Sequence, residues 1–438
     1  MSAGPGGSGA KSAGGPVGPM GSSELLAEID RLEARFAHAE PVVLSFLPEE
    51  GRFDRLRREA EALAARFPDP AARPPLFGLP VGVKDIFHVS GFTTRAGSRL
   101  PPEVLQGAEG PAVAALKAAG ALIAGKTVST EFAYFAPGPS RNPHHPEHTP
   151  GGSSSGSAAA VGAGLVPLAL GTQTIGSIGR PAAFCGAVGF KPTYDRVSRE
   201  GVIPLAPSVD HVGWLTPDVE TATRAARVLL PDWRTGPRQA AAEGRPVLGI
   251  PEGPYLALPR EDGQAHFQGA CERLRQAGYS LLSVPVMADF EEIVARHRRL
   301  VAAEIALVHQ DWFPRFRDLY APQTRELIER GQAVSEEQLG RDREGRAALR
   351  EALEAARDAH GIDLWLSPPA LGPAPHGLGN TGDPIMNLPW SHAGLPTLVL
   401  RAGSAPDGLP MGLQLTGGWD WDEELLGWGS AMEGVLAG

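Results

Sequence analysis

Residues 171–186 read GTQTIGSIGRPAAFCG. The run before them, LVPLALGT (165–172), has the length and composition of a buried strand and feeds straight into this glycine-rich turn. Working outward, GGSSSGSAAA (151–160) closes a loop rich in Pro, Gly, Ser and His over 136–157, and 158–164 continue it as a helix of small residues. Earlier still, LFGLPVGV (76–83) is a short apolar run that ends in Lys84-Asp85, followed by a helix over 112–119 and a strand, ALIA, over 121–124. Helix alternating with short apolar runs is what a sheet with covering helices produces, so the fold class is α/β.

The flanks fit this frame. Two helical patterns open the ordered chain, SELLAEIDRLEARFAHAE from Ser23 and FDRLRREAEALAARF, which stops before Pro68. Beyond Pro217 charge rises, and DFEEIVARHRRLVAAEIALVHQDWF and SEEQLGRDREGRAALREALEAARDAHG are long amphipathic helices; VLGIP is a strand candidate. The C-terminal part, IDLWLSPP to GLQLTG, returns to short apolar runs. Residues 1–22 read as a disordered tail or cloning remnant and 23–438 as one domain. Within it we expect a core over 76–217, a helical peripheral section over 218–360 and C-terminal core strands over 361–438.

Composition excludes several function classes. The 438 residues carry 40 basic and 50 acidic side chains, a net charge of −10, which argues against nucleic acid and anionic membrane surfaces as partners. Only two cysteines, Cys185 and Cys271, are present, so no disulfide framework exists and a cytoplasmic setting is expected. With 55 Gly and 42 Pro the chain is loop-rich, and such chains build sites from backbone.

Three motif matches fail on context. GALIAGKT (120–127) fits the phosphate-loop pattern, but a helix precedes Gly120 and the variable positions are themselves the strand. His144-His145-Pro146-Glu147-His148 fits an inverted zinc motif, yet Pro143, Pro146 and Pro150 preclude the helix it needs, so no metal is expected. Gly152-Ser153-Ser154-Ser155-Gly156 fits a nucleophile elbow, but a proline-studded loop stands where the strand should be.

A fourth constellation is specific. Lys84-Asp85, GGSS (151–154), GTQTIGS (171–177) and GFKPT (189–193) occur in order, and GDPIMNLPWSHAGLPTLVL and GLPMGLQLTG follow near the C-terminus. The chain therefore resembles the amidase signature family, densely over about 76–217 and weakly over 218–360. That resemblance implies a single mixed sheet of about eleven strands covered by helices on both faces. It also implies a cofactor-free hydrolase in which Ser177 is the nucleophile, Ser153 a bridging serine after a cis peptide bond, and Lys84 the base. A serine hydroxyl needs a neighbouring base, and a lysine serves only when burial keeps it neutral. The backbone N–H groups of Thr174, Ile175, Gly176 and Ser177 are the expected oxyanion hole. Against the family pattern, Gln173 replaces Asp, Ile175 replaces Gly and Gly179 replaces Arg, with Arg180 one residue later. Losing the Asp and the Arg together suggests an ion pair exchanged for neutral packing. Asp210-His211 is expected to support the site rather than react.

Tyr134, Phe135, Gly138, Gln173, Met386 and Trp390 are the candidate substrate contacts. An apolar pocket with few groups able to pair a charge would favour neutral aryl amides and carbamates (urethanes), with esterase side activity, for a monomer or homodimer acting on a small molecule. The alternative is the glutamine-hydrolysing component of an amidotransferase, supplying ammonia to a partner; the changes at Gln173, Ile175 and Gly179 weigh against it.

Overall fold

The computed structural model describes residues 22–235 and 244–436. The tail expected over residues 1–22 lies outside them except for Ser22, which opens a helix.

Ten strands form one sheet: β1 (Pro80–Lys84), β2 (Leu122–Thr127), β3 (Leu168–Gln173), β4 (Val188–Lys191), β5 (His211–Thr216), β6 (Leu248–Glu252), β7 (Leu281–Pro285), β8 (Leu364–Ser367), β9 (Thr397–Ser404) and β10 (Pro410–Thr416). Their spatial order is β2-β1-β3-β5-β4-β9-β10-β8-β6-β7. Pairing is parallel at both ends and antiparallel from β3 through β8, so the sheet is mixed. The count is ten among the described residues where the resemblance implied about eleven. β6 is the VLGIP candidate, whereas β7 falls inside the section expected to be helical.

Strand alternation divides the core between the two faces. Leu122, Ala124, Ala169, Leu215 and Val399 pack with α1 (Ser22–Val43), α2 (Arg52–Arg66), α4 (Ser155–Gly162) and α5 (Gly179–Cys185). Their strand neighbours Ile123, Leu168, Leu170, Trp214, Leu398 and Leu400 pack on the opposite face with α3 (Pro111–Ala118), α6 (Val219–Leu229), α7 (Glu261–Gln276) and α13 (Asp422–Leu436). A third apolar cluster joins α8 (Phe290–Val308), α11 (Glu336–His360) and α12 (Leu388–Ala393) to Ile175. α10 (Pro322–Gln332) lies along α8. The long helix α11 starts where Ser335 accepts from the Gln338 N–H and stops at Gly361, whose φ of 62° favours glycine. Among the described residues, no helix is long and apolar enough to cross a membrane.

Candidate active site

Lys84 ends β1, and β3 runs parallel beside it with Val83 opposite Leu170. That register brings Lys84 level with the end of β3, where Nζ donates to Thr172 Oγ1 at 2.8 Å and to Ser153 Oγ at 2.7 Å. The side chain is fully buried, and burial holds its pKa well below the usual lysine range, opposed only by the charge of Asp210. Asp85 next to it pairs with Lys126 at 2.8 Å. The lysine of the rejected phosphate-loop match is thus the buried partner of an aspartate, inside β2.

The Gly152–Ser153 peptide is cis. Ser153 lines a narrow cavity together with Ser177, Thr174, Ile175, Arg180, Ala133, Tyr134, Phe135, Leu205 and Pro384. The next two serines bond to backbone: Ser154 Oγ donates to the Thr172 carbonyl and Ser155 Oγ to that of Val128.

The turn from β3 into α5 is held through its carbonyls. Ser391 Oγ donates to the Ile175 carbonyl at 2.7 Å, the Arg180 N–H to that of Gly176, and the Ser154 N–H to that of Ser177. Gln173 Oε1 takes the N–H groups of both Ile178 and Gly179 at 2.9 Å. What this leaves without a backbone partner, among the described residues, are the N–H groups of Thr174, Ile175, Gly176 and Ser177. Gly176 could carry no side chain, because a Cβ there would lie 2.3 Å from Asn387 Oδ1. Four adjacent free N–H donors beside a serine hydroxyl are the groups that stabilise a tetrahedral oxyanion. The side chain of Thr174 is tied to the far side, where its Oγ1 donates to Asp210 Oδ1 at 2.5 Å and the N–H groups of Leu205 and Ala206 donate to Asp210 Oδ2. His211 Nδ1 points at the carbonyls of Val209 and Gln173, and burial keeps the ring neutral. Neither residue touches Ser177.

Where Gly179 replaces an arginine, neutral amides fill the space. A Cβ on Gly179 would meet Asn387 Nδ2 at 2.9 Å, and Asn387 itself donates to Gln414 Oε1 at 2.7 Å. Gln173 Nε2 donates to Ser391 Oγ. Gln173 is therefore a fully buried brace of the turn, not a substrate contact.

Above the serines opens a cavity of about 660 Å3. Tyr134 and Phe135 line it, placed by a short segment in which Phe132 and Ala133 have φ of 46° and 60°. Phe132 turns away into the core against His309, Trp312 and Tyr320. The remaining substrate candidates do not line this cavity. A Cβ on Gly138 would point at Val128. Met386 and Trp390 are fully buried, and Tyr255 links them by donating to the Met386 carbonyl while accepting from Trp390 Nε1. Their sequence neighbours Pro384, Ile385 and Leu388 face the cavity instead. The expectation of few charge-pairing groups also fails. Arg260, Arg298, Arg330 and Asp383 line the cavity, all on loops or helices whose convergence no local pattern signals.

In the zinc-like segment, His144 Nε2 and His148 Nδ1 bond to the carbonyls of Cys185 and Ala374. No metal-holding cluster of three or more His, Cys, Asp or Glu exists among the described residues.

The sequence profile of the amidase family matches residues 35–426. The chain belongs to the amidase family. It is 34% identical to a glutamyl-tRNA(Gln) amidotransferase subunit of Roseiflexus castenholzii, over 95% of this chain and 93% of the relative. The corresponding subunit of Thermus thermophilus is 35% identical, over 88% of each chain. A crystal structure of an amidase superposes with a TM-score of 0.82 at 34% identity, covering 95% of this chain and 96% of the other.

These relatives correct two expectations for this amidase-family enzyme. Neutral aryl amides and carbamates do not describe the chemistry of relatives named for a glutamyl-tRNA(Gln) amidotransferase. Nor does a monomer or homodimer with only a small-molecule partner, since those relatives are named as one subunit of a larger enzyme. The changes at Gln173, Ile175 and Gly179 misled because they are absorbed locally, by the amide cluster and by the apolar packing around Ile175.

Proposed function

We propose that this chain hydrolyses the side-chain amide of glutamine and releases the ammonia to a partner protein within an amidotransferase. The observation that carries it is a cavity with both signs of charge above a buried Lys84–Ser153 pair and a serine-bearing turn with free N–H donors. Glutamine is a zwitterion away from its scissile amide, and arginines with Asp383 offer counter-charges for its carboxylate and ammonium groups. In this reading Ser177 attacks the amide carbonyl while Ser153 passes the Ser177 proton to neutral Lys84. The N–H groups of Thr174, Ile175, Gly176 and Ser177 hold the oxyanion. The proton then returns by Ser153 to the leaving ammonia, and water, deprotonated by the same relay, frees glutamate from Ser177. No cofactor takes part. Residues 23–438 act as one domain, and the two buried free cysteines suit the cytoplasm.

The test is glutamate and ammonia release from glutamine, with and without added partner proteins, in the native chain and Ser177→Ala. Glutamate formation that Ser177→Ala lowers by at least about 10^4-fold in kcat supports the reading. A sulfonyl fluoride that labels Ser154 rather than Ser177, shown by peptide mapping, would sink the assignment of the nucleophile.

A further inference from the structure

Arg180 is among the most buried large side chains of the molecule, at 1% exposure, and it sits three residues after Ser177. One nitrogen, Nη2, is engaged: it donates to the Gly152 carbonyl at 2.5 Å and to Thr381 Oγ1 at 3.2 Å. The other two, Nε and Nη1, have no hydrogen-bond partner among the described residues, and no carboxylate there lies within salt-bridge distance of the guanidinium. The only acid whose charge acts on it appreciably is Asp383, which is exposed at the cavity wall. Burial draws its pKa down to about 10, which still leaves it cationic at neutral pH.

A buried guanidinium with a single satisfied nitrogen and no counter-ion is costly, because buried charges are ordinarily paired. Its surroundings show where the pairing surface lies. Arg180 lines the same narrow cavity as Ser153 and Ser177, and Thr381, which it touches, lines the larger cavity above. Gly382 lies beside the aliphatic stem, where a Cβ on it would come 3.5 Å from Arg180 Cδ. At the wider end three more arginines, Arg260, Arg298 and Arg330, face the cavity, and Asp383 is the one acid among the described lining residues. Arg260 lies 3.5 Å from Asp262 and Arg330 4.0 Å from Glu326. Cationic groups therefore recur along this one path, from rim to floor.

We infer that Arg180 is a specificity-determining residue that receives a carboxylate on the acyl side of the substrate. The enzyme's substrates are then ω-carboxamides of short carboxylic acids, amino-substituted or not, with uncharged amides discriminated against. Nε and the free Nη1 supply two N–H donors for the carboxylate, while Nη2 stays on the Gly152 carbonyl next to the bridging serine. Carboxylate binding and the placement of Ser153 thereby share one side chain. The inference rests on the amide-hydrolase reading above and deepens it.

The experiment compares matched pairs in the full chain: glutamine with glutamine α-amide, and succinamate with its methyl ester. We expect the acid of each pair to exceed its uncharged partner by about a hundredfold or more in kcat/KM. Arg180→Gln should collapse that ratio towards one, with Arg180→Lys retaining part of it. Equal turnover of acid and neutral partner in the native chain overturns the inference. So does a ratio that survives Arg180→Gln while both rates fall, which would make Arg180 only a brace for the Gly152 carbonyl. Should the variants not fold, calorimetric titration of the native chain with succinate and with succinamide decides the matter. Succinate binding at least tenfold tighter supports it, and equal affinity overturns it. Failure of the amide-hydrolase reading looks different: no amide of either pair is cleaved, whatever the titration shows.

Discussion

The carboxylate of Asp85 lies 2.8 Å from Lys126 Nζ and leaves Lys84, its neighbour in the chain, without an acid in contact. Two lysines on adjacent strands thus receive opposite treatment. Lys126 is charge-paired, while Lys84 has only hydroxyl partners. Both members of the Asp85–Lys126 pair are buried, at 1% and 3% side-chain exposure. Asp85→Asn should therefore cost about 3–5 kcal/mol by stranding the lysine charge, and Lys126→Met a similar amount by stranding the carboxylate. The double variant should recover most of either loss, as read from urea denaturation midpoints.

Activity should climb with pH as Lys84 loses its proton, since only the neutral amine accepts one from Ser153. Lys84→Ala should flatten that climb, and an unchanged profile on glutamine would remove Lys84 from the relay. The same burial has a stability signature. The folded-state pKa lies below the unfolded value near 10.5, so the unfolded chain binds more protons between the two. Stability from this group rises with pH across that window. Lys84→Met should accordingly gain stability relative to the native chain at pH 7, and the gain should shrink as pH approaches 10.

Gln173 Oε1 is the acceptor for two buried N–H groups, those of Ile178 and Gly179. Gln173→Ala leaves both unmet, at about 1–3 kcal/mol each, and loosens the turn that carries Ser177. We expect a drop in melting temperature together with a fall in kcat larger than any change in KM. Restoring the family's charged pair as Gln173→Asp with Gly179→Arg should not rescue it, because Asn387 and Gln414 already occupy the space.

Behind the same turn, His297 and His392 face each other with Nδ1 atoms 3.2 Å apart. Burial pulls their pKa values to about 3 and about 2, below the unfolded value of 6.5. The unfolded state therefore takes up protons first as pH falls from 6.5 towards 3, and stability drains over that range. At pH 5 the loss is roughly 2 kcal/mol per histidine. Replacing both by Leu should reduce the steepness of the acid-unfolding curve, measured by circular dichroism between pH 7 and 4.

The sequence exposed those parts of the site whose neighbours along the chain define them. Lys84, Ser153 and the turn 174–177 sit in short stretches whose small residues and order are distinctive, and β1, β2 and β3 follow from their apolar runs. β4 and β5 were obscured because VGFK and HVGWLT are brief, broken by glycine and flanked by loop residues. Cavity walls were least legible. Trp390 and Met386 invite a pocket reading by chemistry, but α12 turns them into the core and leaves Pro384, Ile385 and Leu388 to face the substrate path. Arg260, just before α7, meets Arg298 of α8 and Arg330 of α10 there, a convergence that only the tertiary fold creates.

Strand order carries a further consequence, for what a truncated chain would lack. β9 and β10 lie between β4 and β8 and are the sole seam joining the N-terminal strands to β8, β6 and β7 among the described residues. Without residues 397–416 the described strands would fall into two separate groups, each with an open edge. Ser391, which pins the Ile175 carbonyl, and Gln414, which braces Asn387, flank or lie within that seam. Three groups needed at the serine-bearing turn are thus separated in sequence from the strands that complete their support, and removal of 397–416 should abolish activity even though Lys84, Ser153 and Ser177 are all retained.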